Sequence, residues 1–218
     1  VSFPTTPIID TFARANGFLD TSLACSNGID SWQAGKINDS GAGTGGTITS
    51  NRLLSALGGT VDSYIATRDF GADVEVYTTF SAVPSTSYAF LAGRISDVGT
   101  ATWDGYAVIW IQPNTWQLRR YDNGSSTVIA TTTAGYSAGD QIGLSAIGDA
   151  ITGYNNGAVV LSTTDATYGA AGKIGFEFAD NTARMFNFGG GTYVAPTPTI
   201  AGGPVLQPPR RRRGMTSW

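Results

Sequence analysis

The 218-residue chain contains no histidine, which excludes histidine-based acid–base triads and histidine-ligated metals. It has one cysteine, Cys25, so neither an intrachain disulfide nor a cysteine-cluster metal site can form. Lysine is confined to Lys36 and Lys173, and charged residues make up only 13% of the chain. No apolar run approaches the roughly 20 residues that a bilayer-spanning helix needs, so no membrane partner is expected. The opening Val1-Ser2-Phe3-Pro4 lacks the basic and apolar regions of a signal peptide, which predicts synthesis in the cytoplasm without one. Helical apolar spacing never persists for three turns without a glycine, so no long helix is expected.

What the chain does have is turn residues between short runs of β formers. Its 29 glycines punctuate expected strands at 88–95, 106–112, 116–121, 127–132, 141–147, 150–154, 158–162 and 173–178. Asn123-Gly124 and Asn156-Gly157 each sit between two such runs, and a type I′ hairpin turn needs positive φ at both central positions. Further strands are expected at 47–53, with an awkward polar break, and at 63–68, 72–80 and 183–188. In 72–80, Val74, Val76 and Thr78 alternate with Asp73, Glu75 and Tyr77, which predicts one buried and one wetter face. The reading is all-β, with one domain over residues 1–195.

Charge divides the chain at the end of that domain. Residues 1–195 carry all 16 acids and a net charge of −7, whereas 196–218 carry Arg210, Arg211, Arg212 and Arg213, no acid and a net charge of +4. The prolines of 196–218 exclude a helix or central strand there and predict an extended arm. Arginine offers planar, multi-donor contacts to carboxylates, and Val205, Leu206, Met215 and Trp218 supply apolar anchors. An arm of this kind suits an acidic protein neighbour. Nucleic acid is disfavoured as a partner, since the body is acidic and has no basic face interleaved with aromatics.

A family resemblance is carried by an opening Asp10-Thr11-Phe12-x-Arg14-x-Asn16-Gly17, then Trp32, then Asp73-Val74-Glu75-Val76. It continues through Ala92-Gly93-Arg94, Gly105-Tyr106-x-Val108, Leu118-x-Arg120, Asn156-Gly157 and Ala171-Gly172-Lys173-Ile174-Gly175-Phe176. In this order the segments resemble the concanavalin A-like jelly-roll superfamily, in particular its laminin-G-like and glycoside-hydrolase-16-like sandwiches. The resemblance covers residues 8–194 and implies a two-sheet antiparallel jelly-roll sandwich, with 183–188 returning beside the first strand. It also implies calcium as the one candidate cofactor, with Asp10 as ligand, although the partner position near the end carries Asn187 rather than a carboxylate. A glycosidase of this kind would need a Glu-x-Asp-x-x-Glu strand. Asp73-x-Glu75 is the nearest segment; it lacks the third carboxylate and reverses the order, so no catalytic residue is assigned.

Two readings are open for the aromatic group Trp103, Tyr106, Trp110 and Trp116. Packed inward, the rings belong to the core; on a shared concave face they would form a stacking platform for sugar, with Arg94 and Arg120 bonding hydroxyls. The sandwich hosts lectins, hydrolases, adhesion modules and virion proteins alike, so fold alone does not select among them. The absence of catalytic chemistry and the basic arm are similar to jelly-roll accessory proteins of tailed-phage virions. That resemblance implies a non-enzymatic structural protein of the virion, a capsid decoration or tail accessory protein, homo-oligomeric and attached to neighbouring capsid or tail subunits through its C-terminal arm. The alternative is a carbohydrate-binding, lectin-like module for adhesion to surface glycans.

Overall fold

The computed structural model describes residues 2–19, 23–34, 37, 46–54, 61–98, 102–179 and 182–196. Among them sixteen strands follow one another without a helix. The first eight are β1 (Ile8–Asp10), β2 (Gly17–Phe18), β3 (Trp32–Ala34), β4 (Thr47–Thr49), β5 (Arg52–Leu54), β6 (Val61–Ile65), β7 (Val74–Ala82) and β8 (Tyr88–Ser96). The rest are β9 (Asp104–Ile111), β10 (Thr115–Asp122), β11 (Ser125–Thr133), β12 (Gln141–Ile147), β13 (Ala150–Asn155), β14 (Ala158–Thr164), β15 (Lys173–Phe178) and β16 (Arg184–Thr192).

Two antiparallel sheets face each other as the jelly-roll sandwich expected from the sequence. One has nine strands in the order β14-β13-β12-β7-β16-β5-β4-β2, with β1 pairing β16 beside that path. The other has seven, β11-β10-β9-β8-β15-β6-β3. The last strand returns beside the first, Ile8 opposite Gly189 and Asp10 opposite Phe188.

Turn chemistry sets the register where the sequence signals it. Asn123-Gly124 joins β10 to β11 with φ of 51° and 77°, and Asn156-Gly157 joins β13 to β14 with φ of 51° and 79°. Both residues of each pair are left-handed, so each hairpin twists with its strands. Residues 47–53 depart from the expected single strand. Ser50 and Asn51 take φ of 51° and 59°, the chain reverses, and β4 pairs with β5, Thr49 opposite Arg52. The polar break is the turn itself, and Asn16 Oδ1 accepts the Ser50 N–H at 3.0 Å. Residues 66–68 leave β6 because Thr67 Oγ1 and Arg68 Nη2 donate to Asp30, at 2.9 and 2.8 Å.

The core between the sheets is largely aromatic. Trp32 packs against Phe12, Phe176 and Phe188, with ring centroids 4.9–5.9 Å apart, and Phe80 packs edge-on against Trp110 at 5.2 Å. Truncating one such ring to alanine costs about 3–5 kcal/mol, through lost transfer energy and the cavity left behind. A second apolar cluster lies on the outer side of the seven-stranded sheet and includes Phe90, Ala92, Trp103, Ile109 and Tyr121. The alternation in β7 does not produce a wet face. Glu75 and Tyr77 are as buried as Val74 and Val76, because segment 2–7 lies across the outer face of the nine-stranded sheet and covers them.

Candidate functional site

The aromatic group of the sequence analysis is core. Trp103, Tyr106, Trp110 and Trp116 are all fully buried, so none presents a face on which a sugar ring could stack. Tyr106, Trp110 and Trp116 point between the sheets, while Trp103 stacks on Tyr121 at 4.0 Å in the outer cluster. The physical reason is the apolar company of β9, whose Val108 and Ile109 bury both of its faces. Arg94 is buried as well, its guanidinium spent on the carbonyl oxygens of Ala72, Tyr168 and Gly148 at 2.5–2.7 Å. Arg120 is partly exposed but ties Asp122 to Asp165, with Nε and Nη1 contacts of 2.8 and 2.7 Å. The six residues therefore form no common binding platform.

Asp10 is an internal hub. Its carboxylate accepts the Phe12 N–H at 2.8 Å and Trp32 Nε1–H at 2.7 Å, and it pairs with the Arg14 guanidinium. A cation of this chain already neutralises it. No group of three or more His, Cys, Asp or Glu side chains suited to a metal ion occurs among the described residues. The donor set at Asp10 therefore does not fit calcium. Asp73 and Glu75 are likewise committed: Asp73 Oδ1 accepts Gly148 N–H at 2.7 Å, and Glu75 Oε2 accepts three bonds from Thr5 and Thr6. Val205, Leu206, Arg210–Arg213, Met215 and Trp218 lie outside the described residues.

What the fold does build is a groove on the outer face of the nine-stranded sheet. A cavity of about 250 Å³ is lined by Phe3, Thr5, Glu75, Ile147, Tyr154 and Tyr193, with Gly157 and Val159 at its margin. β7 supplies Glu75, β12 Ile147 and β13 Tyr154, all projecting away from the core because Val74, Val76, Ala146 and Ile151 project into it. Tyr193 follows β16, placed by its N–H on Asp73 O at 2.8 Å. Val159, 60% exposed, gives the rim an apolar surface. The three bonds to Glu75 all land on Oε2, and Oε1 accepts none of them. Burial and the Glu75 charge push the neighbouring Tyr77 phenol up to about 12, and it stays a hydrogen-bond donor, to Thr6 O at 2.9 Å.

The groove thus combines aromatic and aliphatic walls with one carboxylate oxygen. Its volume sits just below the ~300–1,000 Å³ common for small-molecule sites, which suits one sugar-sized ring. The sequence reading missed Tyr154 and Tyr193. A signal for Tyr154 existed, since strand alternation with the inward Ile151 places it outward, but nothing local distinguishes it from other surface tyrosines. A smaller cavity, of about 140 Å³, lies on the opposite sheet among Tyr88, Ile109, Ile111, Arg119 and Tyr121.

No protein-family description matches the chain, and no curated protein matches it by sequence. Solved structures do resemble it. A CBM66 carbohydrate-binding module from Bacillus subtilis is 19% identical, with a TM-score of 0.53 over 74% of this chain and 95% of its own. The VIP36 exoplasmic/lumenal domain, in a Ca2+/Man2-bound form, is 12% identical, with a TM-score of 0.57 over 88% of this chain and 89% of its own. A β-glucanase from Bacillus licheniformis is 13% identical, with a TM-score of 0.53 over 88% of this chain and 100% of its own. At such identities the likeness establishes the fold, a two-sheet antiparallel jelly roll, and leaves function to the site.

Proposed function

We propose that this chain is a carbohydrate-binding module without hydrolytic activity, and that it takes a saccharide in the groove over β7, β12 and β13. The observation that carries the reading is the groove itself: Tyr193 and Val159 for the apolar face of a sugar ring, beside Glu75 Oε1 for its hydroxyls, with Tyr154 at the end that the Phe3 ring covers. Aromatic walls supply contact area, and a few fixed polar atoms supply orientation. The similar structures include a carbohydrate-binding module and a mannose-bound domain, which supports the same class. The glucanase shares the fold, but the strand here carries Asp73-x-Glu75 without the Glu-x-Asp-x-x-Glu trio that hydrolysis of this kind needs.

A glycan array followed by calorimetry tests the proposal. Binding of at least one saccharide is expected, with an affinity loss of about tenfold for Tyr193→Ala, equivalent to ~1.4 kcal/mol. No reducing ends should be released from any bound polysaccharide. Binding that survives both Tyr193→Ala and Tyr154→Ala unchanged would remove the groove from the account.

A second reading concerns where the module works. The net charge of +4 on residues 196–218, against −7 on the body, favours attachment of this segment to an acidic neighbour, and a tailed-phage virion is the assembly we propose for it. Deleting 196–218 should leave a folded domain that is incorporated poorly into particles. Full incorporation of the truncated chain would discard the attachment role.

A further inference from the structure

The groove ends against segment 2–7, and the way that segment is held has the chemistry of a ligand. The Phe3 ring lies parallel to Tyr154 with centroids 4.0 Å apart, and edge-on to Tyr77 at 6.3 Å. It can lie this close to the sheet because position 143 is glycine: a Cβ there would come within 2.2 Å of the Phe3 ring. The next residues bring donors to a buried carboxylate. Thr5 N–H, Thr5 Oγ1–H and Thr6 N–H reach Glu75 Oε2 at 2.8, 2.9 and 3.1 Å, and Glu75 is only 2% exposed. Tyr77 O–H closes the set on Thr6 O.

Segment 2–7 takes no place in the sheet ladder. It crosses the face, held by side chains and by one main-chain bond, Gly190 N–H to Pro7 O at 3.2 Å, before β1 begins at Ile8. Phe3 belongs to neither apolar cluster. Thr6 Oγ1 is buried without a partner, an unmet hydrogen bond that favours release of the segment. Its anchoring is therefore local, outside the sheet ladder and both apolar clusters.

We infer that segment 2–7 is a displaceable strap. It occupies a second sugar subsite, in which Tyr154 is the stacking floor and Glu75 Oε2 the hydroxyl acceptor, and a saccharide of two or more rings competes with it. This rests on the carbohydrate reading of the groove. A ring face on Tyr154 and donors on Glu75 are what Phe3, Thr5 and Thr6 now provide, and Phe3 and Thr5 themselves line the 250 Å³ cavity, so a saccharide that outgrows it on that side meets the strap. Closure by the strap lowers apparent affinity by the fraction of molecules in which the face is open.

The test compares a saccharide that binds on the array with its own monosaccharide unit, on the wild-type chain, Phe3→Ala and Gly143→Ala. The two substitutions evict the strap from opposite sides, so a folding defect in one does not remove the test. Hydrogen exchange at the Thr5 and Thr6 amides reports the strap directly. The oligosaccharide should speed that exchange in the wild type, and both variants should bind it about tenfold or more tightly, a gain larger than any change they make to the monosaccharide. Slower exchange on binding, or weaker binding by Phe3→Ala, would make the strap a wall of the site; the strap proposal would fail and the carbohydrate reading would stand. Absence of any saccharide binding in all three proteins would sink the carbohydrate reading, and the strap's competing role with it.

Discussion

Arg94 gives the sharpest contrast between the two uses that its position allowed. It is 3% exposed, and its guanidinium donates from Nε to Ala72 O at 2.5 Å, from Nη1 to Tyr168 O at 2.7 Å and from Nη2 to Gly148 O at 2.7 Å. One side chain thus ties together the approach to β7, the turn after β12 and the loop before β15. Burial pulls the guanidinium down from its usual value, partly offset by Tyr106, Asp73 and Asp149, which marks the desolvation that these bonds overcome. Each bond from a charged donor contributes about 1.5–3 kcal/mol, while desolvating the ion takes back several kcal/mol. Replacement by alanine leaves three carbonyl groups to find water, and a net loss of about 4 kcal/mol is expected. In a domain of this size that lowers Tm by about 10–15 °C, and Arg94→Lys, with one point charge for three diverging acceptors, should lose about half as much. Thermal and urea unfolding of both variants measure this. A Tm within about 2 °C of wild type for Arg94→Ala, combined with lost saccharide binding, would refute the structural assignment.

Two further outcomes follow from the polar clusters. Burial pushes the Asp165 carboxyl up, but the hydrogen bonds it accepts from Thr167, Tyr106 and Arg120 outweigh burial and bring it down to about 2. The unfolded chain binds that proton more tightly, so the stabilisation, roughly 2 kcal/mol, is complete above about pH 5 and is lost as pH falls toward 2. Urea midpoints between pH 6 and 2.5 should fall more steeply for wild type than for Asp165→Asn; parallel curves would contradict this. Cys25 is buried, and burial together with the Asp10 and Asp30 carboxylates pushes its thiol up against the opposing pull of Arg14. Iodoacetamide should therefore leave native Cys25 unmodified at pH 8 and label it only in urea, and labelling of the native chain at the rate of a free thiol would be the contrary result.

The sandwich was legible because its determinants are local. Asn123-Gly124 and Asn156-Gly157 dictate their turns through φ, and uninterrupted β formers dictate β8–β10, β12 and β15. Ser50-Asn51 shows in the sequence only as a polar break within one strand, yet both residues take positive φ and make a hairpin. The site was harder to see. Whether an aromatic on a strand points into a core or a groove depends on what covers its face, which is a long-range property. The bulky rings of β9 and β10 were drawn inward by the facing sheet. Tyr154 and Glu75 sit on an outer face whose cover, Phe3 to Thr6, comes from about 70 residues or more away in sequence. Asp10 was recognisable as a special carboxylate, but its partners Arg14 and Trp32 make it an ion-paired hub.

The central claim is that the outer face of the nine-stranded sheet receives a saccharide, and amide chemical-shift mapping tests it most directly. The folded chain is titrated with the tightest-binding array saccharide, and shift changes are followed residue by residue. The account predicts that the largest changes cluster at Glu75, Ile147, Tyr154, Gly157 and Tyr193, with a second set at Thr5 and Thr6. Changes concentrated around Tyr88, Ile109, Arg119 and Tyr121 on the opposite sheet, or no changes at saturating saccharide, would contradict it.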